Sequence, residues 1–375
     1  MILMKICIAT DFHLSYRQYG LEEREQDFYK QYGKLINQVI KEKPQLFLIL
    51  GDIFDTPYPK PIAIQTFNDG LKKLKQEGIK VCGIIGNHTL IQRKDYYPID
   101  KVFEENYHII DDSYMIIDDV FIMGLGYHPR THNIKETIDQ LYGNSDGCSL
   151  KILLLHQILE KDQPVGYDFK EEELGLGRFD YVFLGHLHKK KTRRLDSTII
   201  HYAGSINSCN ITEMLDEMRY GKGYTVLDTD TMELYHRTLN PIRECIQYTF
   251  KDDKLNEGFL DEALKSLKRC TVKPVVLLKS FDDALFDVYD MGKKLENDSL
   301  IVKCKTIPQI DNTIINGENE EISKFDEDGI EGMIMSSLDE DWKGDCAVAL
   351  FRVLGVGDMD GAIKVADDVF RKNYH

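Results

Sequence analysis

The sequence predicts an α/β protein, with strands and helices alternating over roughly the first 240 residues. A small α+β unit follows, then a helical segment at the C-terminal end. Three observations support this. The apolar runs KICIAT, LFLIL, KVCGII, KILLL and YVFL recur along the first half, and runs this short, closed by turn signals, read as buried strands. Stretches of helical spacing separate the first three. Five strand ends carry Asp, Asn or His: Asp11-Phe12-His13, Gly51-Asp52, Gly86-Asn87-His88, His156 and Gly185-His186-Leu187-His188. Open α/β sheets place their chemistry outside the carboxyl ends of their strands.

Taken in order, strand 3–10 precedes a helix within 22–42, where Phe28, Tyr32, Leu35, Ile36 and Val39 keep a helical period. Strand 46–50 runs into the loop DTPYPKP. Helix 61–77 carries Ile62, Ile64, Phe67, Leu71 and Leu74, and strand 80–86 completes a βαβαβ rhythm that implies right-handed crossovers. VFIMGLG (120–126), KILLLHQ (151–157), YVFLGH (181–186) and TIIHYAGS (198–205) are further strands. The weaker helices between them suggest mixed or antiparallel pairing. Residues 245–308 read as strand, helix, strand, helix, strand, with no ligand cluster. Residues 309–328 read as an acidic linker. Residues 329–375 read as helices broken by Gly355 and Gly357, with Ala362, Ile363, Ala366, Val369 and Phe370 on one stripe.

With 375 residues the chain holds two or three domains. The apolar fraction of 42% and charged fraction of 29% are those of a soluble globular protein. No apolar stretch is long enough to predict a membrane span, and MILMKICIAT reads as a first strand, not a signal peptide. Eight scattered cysteines without a C-x-x-C predict reduced, intracellular usage. The formal charge of −16 is concentrated after residue 310, where 16 acidic residues face 6 basic ones. That balance argues against a general nucleic-acid coat protein and leaves room for an enzyme with a local basic groove.

Carboxylate, amide and imidazole are the ligand types that borderline divalent ions such as Mn²⁺ accept. A two-metal site needs a bridging ligand, and Asp52 at the end of a central strand is the natural bridge. His186 and His188 sit two residues apart, so in an extended turn both rings face one side.

As a set, D-x-H, G-D-x-x-D, G-N-H, H and G-H-x-H resembles the calcineurin-like metallophosphoesterase superfamily. Within it, the sequence is most similar to the DNA double-strand-break-repair nucleases of the meiotic recombination 11 and SbcD type. The motifs span 11–188, and length and layout extend the likeness over most of the chain. The resemblance implies a nuclease domain at 1–240 with two mixed sheets flanked by helices, a capping domain at 245–308 and a partner-binding module at 329–375. It implies two Mn²⁺ ions, one held by Asp11, His13, Asp52 and His188, the other by Asp52, Asn87, His156 and His186. His88 would protonate the leaving oxygen or stabilise charge, oriented by Asp55. The implied activity is 3′–5′ exonuclease and single-strand endonuclease at DNA ends. It is exercised by a homodimer with a coiled-coil ATPase of the SbcC type, in the cytoplasm at the nucleoid, with no membrane. Helix 61–77 with Ile99, Val102 and Phe103 matches the place of the dimer interface, although ordinary core reads the same way.

One position departs from the pattern: Thr89 follows His88 where the superfamily usually has Asp or Glu. This puts the support of the His88 loop in question, not the reaction class. Lys189, Lys190, Lys191, Arg193 and Arg194 directly follow His188. They read as a phosphate-backbone clamp or, equally, as a solvated charge run. His128, His132 and His201 are expected to have no chemical role. Two rivals stay open: a phosphatase or small-molecule phosphodiesterase of the same superfamily, and a non-catalytic scaffold on this fold.

Overall fold

A computed structural model describes residues 4–307 apart from 91–97, 131–132, 165, 251–256 and 282–284. The chain divides into two compact units, Met1–Pro308 and Gln309–His375. The expected linker and C-terminal module, and His132, therefore lie outside the described residues.

In chain order the elements are β1 (Lys5–Ala9), α1 (Glu22–Glu42), β2 (Leu46–Leu50), α2 (Pro61–Gln76), β3 (Lys80–Ile84), β4 (His108–Ile109), β5 (Ser113–Ile117), β6 (Val120–Leu125), α3 (Ile134–Tyr142), β7 (Leu150–Leu155), β8 (Tyr181–Leu184), β9 (Lys191–Leu195), β10 (Thr198–Tyr202), α4 (Ile211–Tyr220), β11 (Lys222–Asp228) and β12 (Glu233–Leu239). They build two six-stranded sheets, ordered β12-β11-β1-β2-β3-β4 and β5-β6-β7-β8-β10-β9. β1 to β4 run parallel, and β11 and β12 close that sheet antiparallel. In the second sheet β6, β7, β8 and β10 run parallel between antiparallel edges β5 and β9. The expected mixed pairing is thus confined to the edges. Parallel strands form here without an α-helix in the β7–β8 connection, because the long loop 156–180 makes the crossover.

Alternation along each strand sets the layers. Ile6, Ile8, Leu46, Leu48 and Leu50 meet Ile122, Ile152, Leu154 and Phe183 in a core between the sheets. Their neighbours Cys7, Ala9, Phe47 and Ile49 pack on Tyr32, Leu35, Ile36, Val39, Phe67 and Leu71 of α1 and α2. On the far side Phe121, Met123, Leu153, Leu155 and Val182 pack on Ile134, Ile138 and the 169–179 turns. Strands covered on both faces have no polar face to show, so they read as unbroken apolar runs.

Next come β13 (Cys245–Phe250), α5 (Glu257–Leu267), β14 (Val275–Phe281), α6 (Leu285–Leu295) and β15 (Ile301–Ile307). These strands form one parallel sheet, making a βαβαβ layer in place of the expected α+β mixture. It has its own core at Ala263, Leu267, Val276, Leu278 and Leu295. It joins the larger sheets where Met214 of α4 meets Cys245 and Val275. Among the described residues no helix is long and apolar enough to cross a membrane.

The stripe on α2 divides. Phe67, Leu71 and Leu74 are buried core, whereas Ile62 is 46% exposed, and Val102, in the separate turn Ile99–Phe103, is 62% exposed. Thr89 and Asp100 are fully buried side by side. Burial lifts the Asp100 carboxyl to about 6, with the Thr89 hydroxyl opposing the shift. An acid raised in the folded state retains its proton there while the unfolded chain has lost it, so stability falls as pH rises through about 4 to 6. Asp100→Asn should therefore flatten the decline of Tm between pH 4 and 7, removing up to roughly 3 kcal/mol of pH-dependent loss. Parallel Tm-versus-pH curves for the two proteins would refute this.

Candidate metal centre

Five strands of the two sheets end at one place. β1 delivers Asp11 and His13, β2 delivers Asp52, and β3 delivers Asn87 and His88. β7 delivers His156, and β8 delivers His186 and His188. Cross-links between strand ends hold these loops together. His13 N donates to Asp52 O at 3.1 Å, and Leu14 N donates to Ile53 O at 2.9 Å. The two sheets are tied where His186 N donates to Asp11 Oδ2 at 3.3 Å.

Reaching this point requires an unusual backbone. Asp11, His13, Asp52 and His186 all have left-handed φ, at 55°, 46°, 47° and 77°. A residue with a Cβ pays roughly 1–2 kcal/mol for that conformation, which persists only where the surroundings fix it. The motif glycines have related reasons. Gly51 has φ 91°, and a Cβ on Gly86 would overlap the Asp52 carboxylate and backbone nitrogen.

The ligand atoms fall into two adjacent groups. In the first, His13 Nε2 and His188 Nε2 are 3.0 Å apart. Asp11 Oδ1 is 3.9 Å from the former and 3.8 Å from the latter. Asp52 Oδ2 is 4.0 Å from His13 Nε2. In the second, the same Asp52 Oδ2 is 3.2 Å from His156 Nε2, which is 3.2 Å from Asn87 Oδ1. His186 joins Asp52 and His156 in one cluster. Atoms bound about 2.1 Å from a shared ion lie about 3.0–4.2 Å apart, depending on the angle, so these separations fit.

The buried polar atoms fit as well. Asp11 Oδ1 is buried without a hydrogen-bond partner, a costly arrangement for a carboxylate unless a cation sits there. Burial pushes the Asp52 carboxyl up, but the charges of His156, His13 and His88 outweigh it and hold it well below the usual range. Burial likewise lowers His156, and Asp52 and Asp11 reverse this to about 9. The carboxylates thus create a field that favours positive charge at this spot.

A supporting ring orients the imidazoles. His156 Nδ1 donates to Leu50 O at 2.6 Å, leaving Nε2 with its lone pair facing inward. His13 Nδ1 lies 3.3 Å from Asp55 Oδ1, and His88 Nδ1 donates to Asp55 O at 2.9 Å. Asp55 therefore supports His13 with its carboxylate and His88 mainly with its backbone. His88 N donates to Asp52 Oδ1 at 3.0 Å, so the loop is anchored without an acid at position 89. The His88 side chain is 37% exposed at the mouth, its Nε2 3.9 Å from Asp52 Oδ2.

One supporting carboxylate, Glu213, escaped the sequence reading. Glu213 Oε1 accepts from His188 Nδ1 at 3.2 Å. Burial raises Glu213, but His188 and Lys222 hold it down at about 2. Its sequence signal, Asn210-x-x-Glu213, is that of a helix cap, and Asn210 Oδ1 does accept from Glu213 N at 2.9 Å. Asp168 Oδ2 lies 3.8 Å from His186 Nε2, beyond hydrogen-bond reach, and accepts from Ile158 N at 2.7 Å. Glu213→Gln should weaken retention of the ion beside His188 by roughly 10- to 100-fold. Equilibrium dialysis against Mn²⁺ measures this, and unchanged retention would rule the support out.

The basic run is divided by strand alternation in β9. Lys191 Nζ pairs with Asp162 Oδ1 at 3.0 Å. Arg193 pairs with Asp162 at 2.8 Å and with Glu171 at 2.5 Å. Lys189 and Lys190 line a cavity of about 470 Å³ together with His188, Glu213 and Tyr220, and Lys190, Arg193 and Arg194 border a second one. His128 Nε2 donates to Asp112 Oδ1 at 2.7 Å, outside the site. His201 bridges Thr192 and Thr225 at 2.8 Å each and is depressed by burial to about 3, as a structural residue is.

Fold and site together define a metal-dependent phosphoesterase. The family model for calcineurin-like phosphoesterases matches residues 4–190. Within that class the chain belongs to the Mre11 and SbcD family. It is 30% identical over 366 residues to the DNA double-strand break repair protein Mre11 of Methanocaldococcus jannaschii, covering 91% of this chain and 96% of that one. It is 26% identical to the Methanococcus maripaludis protein of the same name, over 85% and 92%. It is 28% identical to the SbcD component of the SbcCD nuclease of Staphylococcus epidermidis, over 64% and 71%.

Proposed function

We propose that the chain is a Mn²⁺-dependent DNA nuclease acting at double-strand breaks, as a 3′–5′ exonuclease and single-strand endonuclease. The observation that carries the proposal is Asp52 Oδ2, one buried oxygen that faces both ligand groups. Asp11, His13, Asp52 and His188 hold one ion, and Asp52, Asn87, His156 and His186 the other. Bound there, two ions supply an activated water and offset charge on the transferring phosphoryl group. The protein's own part is positional. The left-handed loops fix the donors before substrate arrives, so no reorganisation is needed during the reaction. His88, at the mouth and held through Nδ1, presents Nε2 to the phosphate and gives a proton to the departing oxygen.

The repair function follows the names of the relatives. Exposed Ile62 and Val102 suit a homodimer contact. An SbcC-type ATPase would dock on residues 329–375, and the work would take place in the cytoplasm at the nucleoid. Lys189, Lys190 and Arg194 remain candidates for phosphate contact; Lys191 and Arg193 would first have to leave Asp162 and Glu171.

The deciding experiment compares Mn²⁺-dependent turnover of end-labelled linear DNA with that of nitrophenyl phosphate. DNA cleavage that removes nucleotides from 3′ ends supports the reading. Turnover of the small ester alone makes the chain a phosphatase. Inactivity on both, with no bound metal, makes it a scaffold.

A further inference from the structure

Cys209 stands at the first ligand group, although no motif includes it. It lies in the turn before α4, one residue ahead of the cap Asn210. Its backbone is pinned on both sides: the N–H donates to Glu213 Oε2 at 3.1 Å, and the carbonyl accepts from Tyr16 Oη at 2.9 Å. The turn that carries the thiol is therefore held by the same Glu213 that accepts from His188 Nδ1. Ligand atoms of His13, His188 and Cys209 all lie within 4.8 Å of one another. Imidazole nitrogen bound at about 2.1 Å and thiolate sulfur at about 2.3 Å can be up to about 4.4 Å apart across one ion. That in-line limit is shorter than 4.8 Å, and a tetrahedral pair is closer still, at about 3.6 Å, so a shared ion requires the Cys209 side chain to turn inward. Among the described residues no other cysteine falls in such a group.

Resting on the two-ion reading above, we infer that Cys209 is a further ligand of the ion held by His13 and His188. It gives that position a preference for thiophilic divalent ions over Mn²⁺. Thiolate selects Zn²⁺ and its softer relatives, whereas Mn²⁺ prefers oxygen and gains little from sulfur. On binding, the sulfur–metal bond forms, the thiol proton leaves to solvent, and no electron is transferred. The two positions then differ in kind. One holds carboxylate, imidazole and sulfur, and the other carboxylate, amide and imidazole only. A cell's zinc supply would thereby influence which ion occupies the first.

The test loads the full chain with Co²⁺ alone and reads three quantities. Metal analysis after desalting gives the ions retained. Near-ultraviolet absorption gives the thiolate-to-cobalt charge-transfer band. Iodoacetamide labelling mapped by peptide mass spectrometry gives protection of Cys209. The expected result is two ions, a band, and loss of Cys209 labelling when Co²⁺ is present. Cys209→Ser should lose the band and weaken Cd²⁺ binding by at least about ten-fold, a loss that even a supporting residue causes. Its Mn²⁺ binding should hardly change, and Cys304→Ser should keep the band. Two ions retained without a band, or a band that survives in Cys209→Ser, overturns the thiol proposal and leaves the metal centre standing. No retained ion overturns the metal centre itself. If Cys209→Ser does not fold, the wild-type labelling decides: equal labelling with and without Co²⁺ overturns the proposal.

Discussion

Asp52→Ala is expected to abolish metal-dependent cleavage and to reduce bound metal from two ions per chain to one or none. Asp52 Oδ2 is the oxygen common to both groups, 4.0 Å from His13 Nε2 and 3.2 Å from His156 Nε2. Its other oxygen accepts from His88 N at 3.0 Å. One truncation thus removes a donor from each ion and loosens the loop that carries His88. Paired measurements of DNA cleavage and metal content check the result, with thermal melting to verify folding. Full activity in a folded Asp52→Ala protein would sink the bridging role and the two-ion site with it.

His88→Gln has the second-largest expected effect, and it separates chemistry from metal binding. Loss of a positioned general acid typically costs roughly 10²- to 10⁴-fold in rate. The fall should appear in kcat, while two ions remain bound, because Asp11, His13, Asp52, Asn87, His156, His186 and His188 are all left in place. His88 nonetheless clusters with His13 and Asp52 closely enough to be a ligand itself. Loss of an ion in His88→Gln would make it one and remove the assignment as acid. His128→Ala should leave rate and metal content unchanged, since its partner is Asp112.

The sequence by itself determined the buried central strands, the helices α1, α2, α5 and α6, and the residue types at the strand ends. Buried parallel strands are uninterrupted apolar runs, and α1 and α2 keep a regular helical period, so both were legible in short windows. The candidate metal-binding motifs were legible because a loop that carries a polar residue directly after a strand leaves a compact signature. Asp11, Asp52, Asn87, His156 and His188 could be named for that reason. Tertiary structure decided what depends on distant segments. Glu213 carries only the signal of a helix cap, and it becomes a support because α4 folds back onto His188. Cys209 is one of eight scattered cysteines until that fold places it beside two imidazoles. The run at 189–194 looks uniform as text, yet β9 turns alternate side chains to opposite faces and pairs Lys191 and Arg193 with Asp162. A linear pattern records what a residue is and which way its own segment turns. Which charge meets it from a distant part of the chain is fixed only when the two sheets close on each other, because contacts at that range are set by packing and leave no period in the chain.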